Sequence, residues 1–479
     1  MGMARPTART ISGSLYALAA VLVLALPPYC LAQATAAEET AHETMAREIL
    51  AELIAANTAP SGGNDLRAAV SGLVTRLKNA GFSDEDIEIV AETEKLPNLL
   101  VRYRSDQARD RPILMMAHLD VVEALPEDWT VDPFFMSEKD GYFYGRGTTD
   151  NKAGAAILVA NFVRLKREGY VPERDLIIML TADEESTGAG ARLLVGPHRE
   201  LIDAEFALNT DGGMIILQND EPRAFVMQTS EKVYVSFTLE ATDPGGHSSV
   251  PRADSPISRL SRTLVDLQEF RFPIDLNETS RAFFRLWAPM APAEARPVIE
   301  RILEDPDDPQ LSAKLVEHPY FNSLARTTCV ATQLEGGHAE NALPQTARAT
   351  VNCRVLPQSS AEETHNVLTA MAAKNGVTVT QIAPALASPP SPLDPSIVDP
   401  VEEVANEMWP GITVIPEMST GATDGLFVRN AGIPVYGVSA IAEDPDDFRA
   451  HGQDERIRAR SYYDALEYWY RLVKVLSQP

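Results

Sequence analysis

Apolar positions along the chain change period several times, and each change marks a different kind of element. Ile49, Leu50, Leu53 and Ile54, then Leu66, Val70, Leu73, Val74 and Leu77, recur at helical spacing between His42 and Leu77, interrupted by Pro60-Ser61-Gly62-Gly63. Short continuous apolar runs follow at Leu99 to Tyr103, Ile113 to Met116, Leu176 to Leu180 and Phe206 to Leu208, with an Ala-rich helical stretch from Ala153 to Lys166 among them. Buried strands alternating with helices predict an α/β unit whose sheet is largely parallel. From Val233 to Leu239 the pattern becomes alternation, the mark of a strand with one solvated face. Helices are then predicted at Ile257 to Leu267 and Ala361 to Lys374, and strands at Thr327 to Leu334 and Ala347 to Val355. Arg271 to Asn322 reads as a helical, Pro-rich excursion, Pro384 to Pro400 as a Pro/Ser-rich return, and Ile433 to Val438 as a buried strand of the first type. The expected architecture is α/β, a mixed, largely parallel sheet flanked by helices, interrupted by an inserted α+β domain over residues 230–388; the main domain takes residues 35–229 and 389–479. No internal repeat is visible.

The first 34 residues stand apart. Arg5 and Arg9 form a positive start, Leu15 to Leu26 an apolar stretch, and Ala32-Gln33-Ala34 a small-x-small cleavage pattern, so residues 1–34 read as a signal peptide. No other segment approaches transmembrane length, which predicts an exported protein, secreted or periplasmic, with no stable membrane span after processing. Net charge is -26, which disfavours nucleic acid and anionic membrane surfaces as partners. Two cysteines remain past the leader, Cys329 and Cys353, on strand-like segments that an antiparallel pairing could place side by side; two buried free thiols are the favoured reading.

Five polar islands lie at or just past the ends of apolar runs: Ala117 to Asp120, Gly147 to Lys152, Thr181 to Glu185, Asn209 to Gly213 and His451 to Glu455. Each alone has an ordinary reading. His118 and Asp120 share one face of a strand and could simply hydrogen-bond, Asp150 could cap a helix, and Glu184-Glu185 could be a solvated pair. Together they offer two imidazoles and several carboxylates, and the first four islands fall at the carboxyl ends of strands, where α/β sheets gather ligands. Buried carboxylates without matching bases are costly, and a pair of divalent cations resolves that conflict. Imidazole with carboxylate suits zinc, with cobalt or manganese as substitutes.

In these islands, taken in order, the chain resembles the M20 group of co-catalytic zinc exopeptidases, which includes glutamate carboxypeptidase, aminoacylase-1, succinyl-diaminopimelate desuccinylase and the carboxypeptidase S-like enzymes. The excursion from Arg271 to Asn322 is most similar to the carboxypeptidase S-like branch. The resemblance implies a zinc exopeptidase-like catalytic domain with an inserted lid and dimerisation domain, two Zn2+ ions, and a homodimer through that insert. His118, Asp150, Glu185, Asp211 and His451 would be the ligands, with Asp150 shared between the ions. Asp120 would orient the His118 imidazole and Glu184 would be the general base. His247, in Pro244 to Ser249, would stabilise the oxyanion, often from the partner subunit in this family. Asn341, Arg354 and Gly421 would hold the substrate carboxylate. Asp211 departs from the glutamate of many carboxypeptidase and deacylase members and is more typical of dipeptidases and aminopeptidases.

The expected activity is hydrolysis of the amide bond of dipeptides, short peptides or N-acyl amino acids, with carboxypeptidase or dipeptidase action ahead of aminoacylase action. A single-metal endopeptidase would carry His-Glu-x-x-His on a helix, and the sequence has none. The other rival, a protein that keeps the fold to bind metal or peptide without catalysis, would have lost the base or a ligand, and Glu184 and all five ligand positions hold usable side chains. His42, His198, His318, His338 and His365 fall outside the pattern and are given no chemistry.

Overall fold

In the computed structural model, which describes residues 39–478, the continuous apolar runs become the middle of one ten-stranded sheet. The leader at residues 1–34 lies outside the described residues. Strand Ile113–His118 runs parallel to Leu176–Thr181 on one side and to Phe206–Asn209 on the other, and Val435–Gly437 continues the parallel set beyond the latter. Pro97–Tyr103 and Ile87–Ala91 extend the sheet antiparallel at one end. The other end is Glu221–Glu231, Met214–Gln218 and Ala442–Glu443, with Thr413–Ser419 pairing parallel to Glu221–Glu231. The sheet is mixed and largely parallel. Every residue of Ile113–His118 and of Leu176–Thr181 is buried, which is why neither run alternates.

Helix Lys152–Glu168 lies under these strands between Ala41–Ala55 and Ala459–Leu476. Its alanines allow a close approach, and Gly154 is required: a Cβ there would sit 2.2 Å from Thr210 Oγ1. The helix therefore starts directly beneath the Asn209 to Gly213 island. The opposite face of the sheet is covered by Ala189–Val195 and Gly425–Asn430, through Leu194 and Val428.

A second sheet has the order Thr328–Gly336, Thr346–Val355, Val233–Thr242, Thr378–Gln381, all antiparallel. Val233–Thr242 alternates as the sequence predicts, its buried side packing on helices Pro256–Glu269 and Ala361–Ala373. The helical excursion has its own apolar cluster around Phe283, Phe284, Ile299 and Leu315, and that cluster includes Ala224 and Ile415. It therefore packs on the end of the ten-stranded sheet, while the second sheet keeps a separate core.

Two elements differ from the sequence expectation, and a third lies outside it. The Pro/Ser-rich return ends in a helix, Pro395–Met408, because Asp394 caps it, Pro395 occupies its first turn and Pro400 still lies near its start. Glu221–Glu231, which the sequence reading leaves unassigned, is buried from Ala224 onward: Ala224 to Met227 are apolar, and of the polar residues that follow, Gln228 and Glu231 bond to each other. The two cysteines are joined, not free: Cys329 and Cys353 lie directly opposite in register, with Cα atoms 4.1 Å apart. Such closeness leaves two sulfurs in contact between facing strands. The Cys329→Ser, Cys353→Ser double variant is expected to lose about 2–4 kcal/mol of stability. Chemical denaturation of variant and wild type, with and without reductant, checks this; equal midpoints would deny the bridge a stabilising role. Among the described residues no helix is long and apolar enough to cross a membrane.

Candidate metal centre

Three islands follow strands of the central sheet: His118 ends Ile113–His118, Glu184 and Glu185 lie just past Leu176–Thr181, and Asp211 just past Phe206–Asn209. The other two do not. Asp150 follows Tyr142–Tyr144, and His451 precedes Arg456–Arg458; both strands belong to a small antiparallel sheet with Ser137–Lys139. The expectation of four islands at carboxyl ends of the main sheet is corrected accordingly. Pairing of Arg456 with Tyr144 brings the chain's last island alongside its second.

Glu455 ties them together. Its fully buried carboxylate accepts the amide hydrogens of Gly147 (3.2 Å), Thr149 (2.7 Å) and Asp150 (3.1 Å), and Arg146 donates to it at 2.6 Å. Arg146 also donates to the carbonyls of Glu123 and Gly452. Neither residue carries a role in the sequence reading. Arg146 directly precedes the Gly147 to Lys152 island and Glu455 ends the His451 to Glu455 island, but no local signal in the sequence pairs them.

Asp150 stands between the two imidazoles, with Oδ1 2.8 Å from His118 Nε2 and Oδ2 3.0 Å from His451 Nε2. It is no helix cap: the position before Lys152–Glu168 is Asn151, whose side chain makes no cap bond and instead accepts from Thr210. The Asp150–Asn151 peptide is cis. Glu185 Oε2 lies 3.0 Å from His451 Nε2. Asp211 and Glu184 approach His118 Nε2 at 3.9 and 4.0 Å. Asp120 acts differently from the expectation. Its backbone carbonyl takes the His118 Nδ1 hydrogen at 3.0 Å, while its carboxylate, 3.7 Å from that nitrogen, accepts the amides of Glu184 and Glu185. It orients the imidazole through its main chain and the acidic loop through its side chain.

The donor set fits divalent cations. A carbonyl can only accept, so His118 Nδ1 carries a hydrogen, and Nε2, which faces three carboxylates, is the nitrogen that would turn a lone pair to a bound cation. His118, Glu184 and Asp211, and likewise His118, Asp150 and Glu185, each offer atoms within 4.8 Å of one another. Among the described residues no lysine or arginine pairs with these four carboxylates. Burial pushes Glu184 and Asp211 well above the usual carboxylate range; the His118 charge opposes this, and neighbouring carboxylates add to it. His118 is raised despite its burial, because Asp150 hydrogen-bonds it and Asp211 and Glu184 surround it. A cluster of acids that must either take up protons or accept cations is a metal site by chemistry. His118, Asp150 and Asp211 would hold one ion, and Asp150, Glu185 and His451 the other.

The remaining candidates fall into two places. Gly246–His247 pairs with Ala342–Leu343, and Ser248 donates to the Asn341 carbonyl at 3.0 Å, so His247 and Asn341 share a two-stranded ribbon. His247 is exposed there, its Nδ1 accepting from Ser249, and its recorded contacts do not reach the metal ligands. Arg354 lies on the second sheet with its guanidinium over the Tyr234 ring and Nη1 3.2 Å from the Thr420 carbonyl. It thus meets the loop of Gly421, whose amide is held by Ser419. Asp424, next along this loop, is buried and pushed up to about 7 by that burial.

The chain belongs to peptidase family M20/M25/M40, whose profile matches residues 114–475. Among its relatives, the human N-fatty-acyl-amino acid synthase/hydrolase PM20D1 is 30% identical over 374 residues, 76% of this chain and 74% of that protein. An M20 family metallo-carboxypeptidase, Sso-CP2 from Sulfolobus solfataricus, matches in structure with a TM-score of 0.69 at 17% identity, covering 90% of this chain and 99% of the other. The Bacillus subtilis YXEP protein, a dinuclear metal binding peptidase of the family, matches with a TM-score of 0.56 at 13% identity over 91% of this chain and 99% of that one.

Proposed function

We propose that this protein is an exported two-metal amide hydrolase acting on small substrates with a free α-carboxylate, short peptides or N-acyl amino acids. The observation that carries the reading is the Asp150 carboxylate set between two imidazoles, with Glu184 beside the same His118 nitrogen. Bound divalent ions such as zinc would supply Lewis-acid polarisation of the scissile carbonyl and would acidify a water. Glu184, whose amide is fixed by Asp120, takes the proton of the attacking water and delivers it to the leaving amine. Arg354 and the Gly421 loop receive the carboxylate, the guanidinium offering two parallel donors. The name of the human relative supports an N-acyl amino acid as readily as a peptide. The Cys329–Cys353 bridge supports an oxidising compartment, in line with export.

His247 stands on the ribbon as an oxyanion donor, brought to the site by closure of the second sheet or by a second subunit. His247→Ala is expected to lower kcat about 10²–10³-fold. Metal analysis accompanies the kinetics: both ions retained is the expected outcome, and loss of metal would make His247 a ligand. The broader reading is tested by metal content and by a panel of dipeptides and N-acyl amino acids. Two equivalents of metal and hydrolysis of carboxylate-bearing substrates support it; hydrolysis only of substrates whose carboxylate is blocked defeats the assignment of Arg354.

A further inference from the structure

The amide hydrogen of Asp211 is accepted by Asn209 Oδ1 at 3.0 Å. Asn209 Nδ2 lies 3.3 Å from Thr423 Oγ1, and that hydroxyl lies 2.6 Å from Glu231 Oε1. Chemistry fixes the direction of this chain. A carboxylate only accepts, so the single Thr423 hydrogen goes to Glu231. The hydroxyl oxygen is then left to accept, from Asn209 Nδ2 and from the Gly425 amide at 3.1 Å. Asn209 therefore turns Nδ2 to Thr423 and keeps Oδ1 for Asp211.

Glu231 orients a second amide in the same way. Gln228 Nε2 donates to it at 2.9 Å, which sets Gln228 Oε1 against Gly212, where a Cβ would sit 1.8 Å from that oxygen. Arg429 Nη2, 2.8 Å from the same Glu231 oxygen, supplies the opposing charge. Asn209, Gln228, Glu231 and Arg429 are all buried, where such bonds are stronger than in water. The same position holds the Gly421 loop at both ends. Glu231 pairs in register with Ser419, whose carbonyl accepts the amide of Lys232 at 2.9 Å, and its side chain holds Thr423. Between these two points lies Thr420, whose carbonyl meets Arg354.

We propose that Glu231 is a positioning residue that keeps the ligand Asp211 and the Gly421 loop at one separation. It thereby sets how far from the scissile amide the substrate's carboxylate must lie. The inference rests on the roles proposed above for Asp211 and for the Gly421 loop.

Thr423→Val tests it, since it keeps the shape of the side chain, removes its hydroxyl and leaves the Glu231–Arg429 pair whole. In competition with a chelator, one of the two ions should bind about tenfold more weakly and the other as in wild type. The best substrate of the panel is then compared with its homologue carrying one more methylene between amide nitrogen and carboxylate. Wild type should favour the shorter one roughly a hundredfold, the cost of about an ångström of misplacement, and Thr423→Val should lose most of that preference. Glu231→Gln, whose amide hydrogens can reverse the chain, should reproduce both losses, and Thr423→Ser, which keeps the hydroxyl, should show neither. Wild-type metal affinity and preference in Thr423→Val overturn the proposal. Loss of both ions together, or equal losses in Thr423→Ser, would mark a general defect of folding and overturn it too. A wild-type protein that holds no ion defeats the metal centre itself, and this inference with it.

Discussion

Replacing Glu184 by glutamine should reduce turnover about 10²–10⁴-fold while both metal ions remain bound. The change removes the only carboxylate among the islands that is assigned to the water's proton and not to an ion. The main chain of residue 184 is held from outside, by Asp120 Oδ1 at 3.1 Å, so the loop keeps its shape when the side chain changes. Its neighbour Glu185 is likewise held by Asp120 Oδ2 at 3.0 Å and stays against His451. Metal analysis and single-turnover kinetics on one preparation give the result. Unaltered turnover would remove Glu184 from its role; loss of one ion would make it a ligand, a role its place beside His118 and Asp211 also permits.

The second large effect is expected away from the ligands. Glu455→Gln leaves Arg146 buried against an uncharged group and sets an amide NH2 where three backbone hydrogens converge. Breaking a buried ion pair in this way costs about 3–5 kcal/mol. Because Glu455 fixes the amides of Thr149 and Asp150, metal affinity should also fall, roughly 10–100-fold. Denaturant unfolding and competition with a chelator measure the two separately. Adding Arg146→Met should recover part of the stability, since no orphan charge remains, without recovering the affinity. Wild-type metal affinity in Glu455→Gln would mean that Asp150 is positioned by its own loop alone.

Much of this was legible in the sequence, and the reason is local. Continuous apolar runs such as Leu176 to Leu180 have one meaning in an α/β context, and a polar island beyond a strand end marks a site. Alternation from Val233 to Leu239 fixed the second kind of sheet in the same way. What escaped depends on pairing over long separations. In Glu221–Glu231 the polar end Gln228 to Glu231 gives no sign of burial until Gln228 and Glu231 are seen bonded to each other, with Thr423 and Arg429 on the same glutamate. The disulfide turns on register, which places Cys329 opposite Cys353; a shift of one residue would have left both thiols free. Arg146 and Glu455 are unremarkable singly, and only the Arg456–Tyr144 register reveals them as a pair. Asp120 was legible as a partner of His118, but not as a residue whose carbonyl accepts from that imidazole while its carboxylate accepts from two amides of the acidic loop.

Glu455 lies 305 positions after Asp150, and His451 is almost as remote. During synthesis the ribosome needs on the order of tens of seconds to cover that interval. Once Asp211 has been made, the nascent chain holds all the acidic residues assigned to the ions but neither the second imidazole nor the anchor of the Asp150 loop. On the proposed reading, a chain stopped short of His451 lacks one ligand and the anchor of another, so activity would wait for the last thirty or so residues.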